Sequence, residues 1–124
     1  MILGIGCDII EMERIRAALR RQEEHFIERI LTQPELALCA RFQDPTQFLA
    51  GRFAAKEALA KALGCGIGKE FSWHSSSILN DDSGKPYVEW AFDVKSHFGV
   101  AKTHLSISHS ETVAMAYVLT ESFP

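Results

Sequence analysis

The sequence predicts an α+β fold, with a helical layer packed on a mostly antiparallel sheet. Three features of the pattern carry that expectation. Apolar residues recur at helical spacing through most of residues 11–63, the spacing switches to period two after Gly64, and short turn-rich links join the alternating runs. No repeat, low-complexity run or flexible linker divides the chain, so residues 1–124 are expected to form a single domain.

Met1 to Ile10 reads as the first strand. Leu3, Ile5 and Cys7 point to one face, and Gly4, Gly6 and Asp8 to the other. Glycines on one face let another element approach the backbone closely, and Asp8 ends that face. Residues 11–31 are helical in one or two pieces, with Ile15, Ala18, Leu19, Phe26, Ile27, Ile30 and Leu31 as the apolar stripe. Thr32-Gln33-Pro34-Glu35 is a capping box that starts a helix running to about Phe42. Asp44 caps the next helix, Pro45 supplies the pre-set φ of its first turn, and Gly64 stops it after Leu63. Ser76–Asn80 and Pro86–Phe92 flank the turn-rich residues 81–85 as a hairpin. Asp93–Phe98 suits a short helix closed by Gly99. Leu105–Ser108 and Val113–Leu119 form a second hairpin, and the last strand, apolar on both faces, is expected at the centre of the sheet.

At 124 residues the chain can bury a core without metal or disulfide staples, and its 47% hydrophobic content is that of an ordinary soluble protein. A net charge of −3 argues against a general nucleic-acid binder. The charge is uneven, however. Arg14, Arg16, Arg20, Arg21 and Arg29 all fall in the first thirty residues, which suits an acidic partner. The plainer explanation is a solvated helix face on which those arginines pair with Glu11, Glu13, Glu23, Glu24 and Glu28. Cys7, Cys39 and Cys65 form neither a disulfide framework nor a zinc site and fit a reducing cytosol. The first apolar stretch is too short, and meets Asp8 too early, for a signal peptide or a membrane span. A cytoplasmic location is expected, with neither nucleic acid nor membrane as partner.

The helix from Phe48 to Leu63 holds the main chemical signal. At about 100° per residue, Glu57 projects between Phe53 and Lys61, beside the small face of Ala54, Ala58 and Ala62. An ordinary i,i+4 pair with Lys61 would explain it, at a few tenths of a kcal/mol. If the alanine face packs on Gly4 and Gly6, however, Glu57 comes near Asp8. Two half-buried carboxylates repel unless a proton or cation lies between them. All-oxygen ligation of that kind suits Mg²⁺ at phosphoryl chemistry, with Lys56 and Lys61 adding positive charge for phosphate oxygens.

The stretch Gly64-Cys-Gly-Ile-Gly-Lys69 is no Walker loop, because its glycines follow a helix instead of preceding one. Their main role is chain reversal, although such a backbone can lie close to a ligand. Ser106-Ile-Ser-His109 ends a strand at a turn. It lacks the G-x-S-x-G elbow of a hydrolase, so Ser108 and His109 read as a phosphate-binding pair, or as a turn in which the His only caps. His25, His74, His97 and His104 have no ligand-like spacing.

Three blocks together resemble the holo-acyl carrier protein synthase family of phosphopantetheinyl transferases. They are Gly4-Ile-Gly-Cys-Asp-Ile-Ile-Glu-Met-Glu-Arg-Ile15, Phe48-Leu-Ala-Gly-Arg-Phe-Ala-Ala-Lys-Glu-Ala-Leu-Ala-Lys-Ala-Leu-Gly64 and Leu105-Ser-Ile-Ser-His109. Glu28-Arg-Ile-Leu-Thr, Gly64-Cys-Gly-Ile-Gly and Gly84-Lys-Pro-Tyr echo the same family, in order along nearly the whole chain. The resemblance implies the 4′-phosphopantetheinyl transferase fold and a homotrimer with active sites at the subunit interfaces. It implies that Asp8 and Glu57 are magnesium ligands, with the coenzyme A pyrophosphate completing the sphere. Lys61 matches a lysine on a coenzyme A phosphate, Gly64 lies beside it, and Ser108 and His109 match the turn at the nucleotide end. Arg14, Arg21 and Arg29 match the basic surface that meets an acidic acyl carrier protein. Cys65 stands where a threonine is usual, and residues 70–77 follow no pattern of the family.

The activity so implied moves the phosphopantetheine arm of coenzyme A onto a carrier-protein serine, in support of fatty acid biosynthesis. Asp8, Glu57 and Lys61 are the expected catalytic residues. The proton acceptor stays open among a metal-bound water, Glu57 and Asp8. Two rivals are a non-catalytic module that binds coenzyme A or a carrier protein, and a Ser/His thioester hydrolase.

Overall fold

The computed structural model describes residues 1–124. Its elements run β1 (Ile2–Glu11), α1 (Met12–Ile30), α2 (Gln33–Cys39), α3 (Thr46–Ala62), β2 (Ser76–Asn80), β3 (Pro86–Trp90), α4 (Val94–His97), β4 (Lys102–His109) and β5 (Val113–Glu121). The α+β class holds, and every strand pair is antiparallel. The strands form two sheets, however: a three-stranded sheet in the order β1-β5-β4, and the separate hairpin β2-β3. The last strand is central in the larger sheet, as its apolar faces require.

Helix α3 lies across β1 and β5, and its packing follows from the glycines of β1. A Cβ placed on Gly4 would sit 1.9 Å from the Ala62 carbonyl oxygen, and one on Gly6 would sit 1.9 Å from that of Ala58. Backbone thus lies directly on backbone along this face. Ala54, Ala58, Ala116 and Val118 complete the contact, each at most 1% exposed. The other side of α3 is buried too, with Leu49, Ala55 and Leu59 fully enclosed. That burial on all sides is why α3 carries so little amphipathic patterning.

Element ends differ from the sequence expectation by a few residues. The α1 segment is two helical pieces merged across Gln22, whose φ of −153° and ψ of 69° break the helix. Helix α2 stops at Cys39 because residues 40–42 tighten into i→i+3 turns, Arg41 to Leu38 and Phe42 to Cys39. Pro45 itself is the N-cap residue of α3, not its first helical residue; Asp44, one residue before it, still accepts from the Thr46 N–H at 3.0 Å and its hydroxyl at 2.7 Å. Strand β4 starts at Lys102, three residues before the expected Leu105, since it pairs with β5 from Ala114 to Glu121.

Lys56 corrects the sequence reading outright. Expected to face phosphate, its side chain is fully buried, and its ammonium donates to Glu35 Oε1 at 2.5 Å and to the carbonyls of Ile30 and Trp73 at 2.7 Å each. One residue before Glu57, it points about 100° away, into the seam between α1, α2 and β2. Glu35 is the capping-box acid. It also accepts from the Thr32 N–H at 2.9 Å and from the Ile78 N–H at 2.7 Å. Burial pushes the Lys56 ammonium below its usual range, and the Glu35 carboxylate opposes that shift.

Three stability outcomes follow, all readable from urea unfolding midpoints. Gly6→Ala should cost about 3 kcal/mol or more, because the new Cβ meets backbone that cannot yield. Gly51→Ala, whose Cβ would meet the Ile107 side chain at 3.4 Å, should stay within about 1 kcal/mol of the parent. Lys56→Met should cost about 3–5 kcal/mol, since it leaves the Glu35 charge buried without its counter-ion.

Candidate active site

The register that seats Gly4 under Ala62 and Gly6 under Ala58 carries Asp8 toward the middle of α3, where Glu57 projects. Asp8 points to the α3 side of β1, and its side chain is only 16% exposed. Lys61, one turn beyond Glu57, donates to Asp8 Oδ1 at 3.1 Å and to the Cys7 carbonyl at 3.0 Å. The Asp8 bond holds the Lys61 ammonium above its usual range. Burial, and then the charge of Asp8, push the Glu57 carboxyl up, while Lys61 and Arg14 oppose that shift. Asp8, Lys61 and Arg14 therefore all act on the charge of Glu57.

Two carboxylates are an all-oxygen donor pair, which suits a hard divalent cation better than a soft one. No third His, Cys, Asp or Glu joins them. A cation held there would draw its remaining ligands from solvent or from a bound anion. Gly64 ends α3 with a φ of +80°, and open space lies where its side chain would be. The N–H groups of Cys65 and Gly66 return to the Ala60 carbonyl, so this stretch caps the helix that carries Lys61.

Ser108 and His109 lie elsewhere in the chain. They end β4, the sheet edge opposite β1, and Ser108 faces away from α3. The His109 ring contacts the Gln47 side chain at 3.0 Å, in the first turn of α3. Ten helical residues, about 15 Å along the axis, separate Gln47 from Glu57. A single chain thus keeps the expected phosphate turn apart from the carboxylates. His109 opens instead onto a broad cleft with Phe48, Arg52, Asn80, Arg41 and Asp82. Arg52 had no separate role in the sequence reading. It is 7% exposed, donates to the Ile78 carbonyl and to Asn80 Oδ1, and stacks 4.2 Å from the Phe48 ring centroid. Its i,i+4 spacing from Phe48 was the available signal.

The basic surface divides between the two explanations offered for it. Glu13 takes Arg16 at 3.5 Å and Arg20 at 2.8 Å. Arg14, Arg21 and Arg29 make no ion pair. Arg14 and Arg21 border a groove with Ile10, Ala18, Phe26 and Phe53, and Arg29 lines its continuation along α1. An apolar groove rimmed by unpaired arginines suits an acidic, amphipathic partner. His74 and His104 have structural partners, the Glu28 carbonyl and the Glu121 carboxylate.

Comparison with known proteins places the chain in a family. Residues 4–118 match the 4′-phosphopantetheinyl transferase superfamily. The chain belongs to that superfamily. Within it, a holo-[acyl-carrier-protein] synthase of Geobacillus sp. is 48% identical over 123 residues, covering 98% of each chain. The crystal structure of the Neisseria meningitidis holo-[acyl-carrier-protein] synthase superposes with a TM-score of 0.93 at 37% identity, covering 98% of this chain and 100% of that one. That of a Bacillus anthracis holo-(acyl-carrier-protein) synthase, in complex with CoA (3′,5′-ADP), gives 0.86 at 46% identity over 99% of both chains. The family match thus spans residues 4–118, and the superposed structures cover 98% and 99% of the chain.

The electrostatics of Glu57 make a sign-specific prediction. Its folded pKa lies above its unfolded one, so the native state binds more protons in that window and loses stability as pH rises through it. Glu57→Gln should therefore melt above the parent at neutral pH in chelator-treated buffer, and the difference should vanish near pH 4. Differential scanning fluorimetry across pH 4–8 reads both.

Proposed function

We propose that the chain transfers the 4′-phosphopantetheine arm of coenzyme A to a serine of apo acyl carrier protein, giving the holo carrier and 3′,5′-ADP in support of fatty acid biosynthesis. The observation that carries this is the convergence of Asp8, Glu57 and Lys61 on one face, in a chain that matches holo-acyl carrier protein synthases along its full length. The bound nucleotide of the Bacillus anthracis relative supports coenzyme A as substrate.

Asp8 and Glu57 would hold a magnesium ion. When bound, it supplies positive charge to the coenzyme A diphosphate, lowering the cost of the charge that develops there. Lys61 neutralises a further phosphate oxygen, and Gly64 keeps the end of its helix open to the ligand. The carrier serine oxygen attacks the β-phosphorus, and the bond from that phosphorus to the bridging oxygen breaks. The bridging oxygen leaves on 3′,5′-ADP, and the serine proton passes to Glu57, to Asp8 or to solvent. Arg14, Arg21 and Arg29 draw the acidic carrier onto the α1 groove.

A homotrimer with interfacial sites accounts for two features together. Leu3, Ile5, Ile9 and Tyr117 lie exposed on the sheet face away from α3, with Ile5 at 67% and Ile9 at 62%. An apolar face of that kind suits contact with other copies. The carboxylates and the Ser108–His109 turn also sit at opposite sheet edges, so a cyclic, head-to-tail contact would bring one protomer's turn to its neighbour's carboxylates. No helix is long and apolar enough to cross a membrane, and all three cysteines are free, which supports a reducing cytoplasmic location.

Intact-mass spectrometry of an apo acyl carrier protein incubated with the protein, coenzyme A and Mg²⁺ tests the reaction. The expected result is a gain of one phosphopantetheine that EDTA abolishes. No gain in a sample that still binds coenzyme A would overturn the reading in favour of a binding module. Glu57→Gln should lower turnover at least about a hundredfold, the scale of several kcal/mol of lost charge stabilisation.

A further inference from the structure

Asp8 is not a free ligand. The Lys61 ammonium donates to its Oδ1 at 3.1 Å and to the carbonyl of the preceding residue, Cys7, at 3.0 Å. Two acceptors from consecutive residues of β1 therefore fix the ammonium beside the carboxylate. A divalent cation arriving alone would have to take Asp8 from that ammonium and then remain within its repulsion. It would gain only two protein groups, since no third acidic or imidazole ligand is near. Two carboxylates fill only part of an octahedral sphere.

An incoming diphosphate changes this balance. Its oxygens can accept the Lys61 ammonium and fill further positions on the cation at the same time. We propose that Lys61 is the resident counter-ion of Asp8, so that the carboxylate pair binds a divalent cation weakly alone and tightly only when a diphosphate takes Lys61 over. This rests on the reading of Asp8 and Glu57 as metal ligands. Metal and coenzyme A then bind as a linked pair, each raising the affinity of the other by the same factor. Arg14 also acts on Glu57, from α1, but makes no bond to Asp8. Its charge is therefore not exchanged in the same way.

Titration of the full chain with Mn²⁺, the free ion followed by electron paramagnetic resonance, tests the exchange. Protein-free controls correct for Mn²⁺ held by the nucleotides. Coenzyme A should tighten Mn²⁺ binding at least about tenfold, and 3′,5′-ADP, which has no diphosphate, by less than about threefold. Lys61→Met should bind Mn²⁺ alone about two- to fivefold more tightly, the scale of a half-exposed ion pair, and its coenzyme A effect should shrink by the same factor. Equal or weaker binding of Mn²⁺ alone by Lys61→Met overturns the proposal. So does an equal gain from Arg14→Met, because the effect would then be a general loss of positive charge. Asp8→Asn separates the two layers of the reading. If it binds Mn²⁺ with coenzyme A as the parent does, the ligand assignment itself fails. If it loses that binding while Lys61→Met behaves as the parent, only the exchange fails.

Discussion

The close approach of α3 to β1 is the constraint on which the rest of the architecture depends. Ordinary helix–sheet packing interposes a layer of side chains, but the carbonyls of Ala58 and Ala62 occupy the space where side chains of Gly6 and Gly4 would stand. Dispersion contacts fall off steeply with distance, so a helix seated this closely makes many of them and has little freedom to slide. Its axial position is then fixed to within a fraction of a turn. That matters chemically because Asp8 belongs to the strand and Glu57 to the helix. A small shift between the two elements would separate the carboxylates or expose them to water.

A second fixed point lies on the far side of α3. The buried Lys56 ammonium gathers Glu35, the Ile30 carbonyl and the Trp73 carbonyl, which come from α2, the end of α1 and the segment before β2. Paired charges in the interior add little net stability over apolar residues of similar size, but they punish misassembly because each partner is costly alone. Lys56 and Glu57 are adjacent in sequence and opposite in environment. One is sealed in the interior, and the other stays partly open beside Asp8. The helix thus uses consecutive charged residues for two unrelated tasks, and helical phase alone sorts them.

The distribution of polar groups over the larger sheet gives the molecule two incomplete edges. Asp8, Lys61 and Glu57 collect at the β1 edge, while His109, Gln47 and Arg52 border the cleft near β4. Strand β5 lies between them, small and apolar toward α3 and carrying Met115, Tyr117 and Leu119 on its other face. The homotrimer proposed above would bring these two edges together and cover the apolar outer face, where Ile5, Ile9 and Tyr117 are exposed.

Local patterns in the sequence determined most of the secondary structure, the antiparallel pairing, the central place of β5 and the candidate carboxylates. These rest on short-range physics: alternation in Ile2–Glu11, the capping box at Thr32, the glycine stops, and the mismatch between Glu57 and its alanine neighbours. The family resemblance rested on the same local blocks, and the comparisons bear it out. What the tertiary structure decided are the properties that depend on which surfaces meet. Lys56 looked like a second phosphate lysine because nothing local says that Glu35, twenty-one residues earlier, would be buried against it. Arg52 offered only its i,i+4 spacing from Phe48, and Gln47 offered no signal, because their partners Asn80 and His109 lie far along the chain. The distance between His109 and Glu57 is set by sheet order, which follows from long-range pairing and not from the order of motifs along the chain.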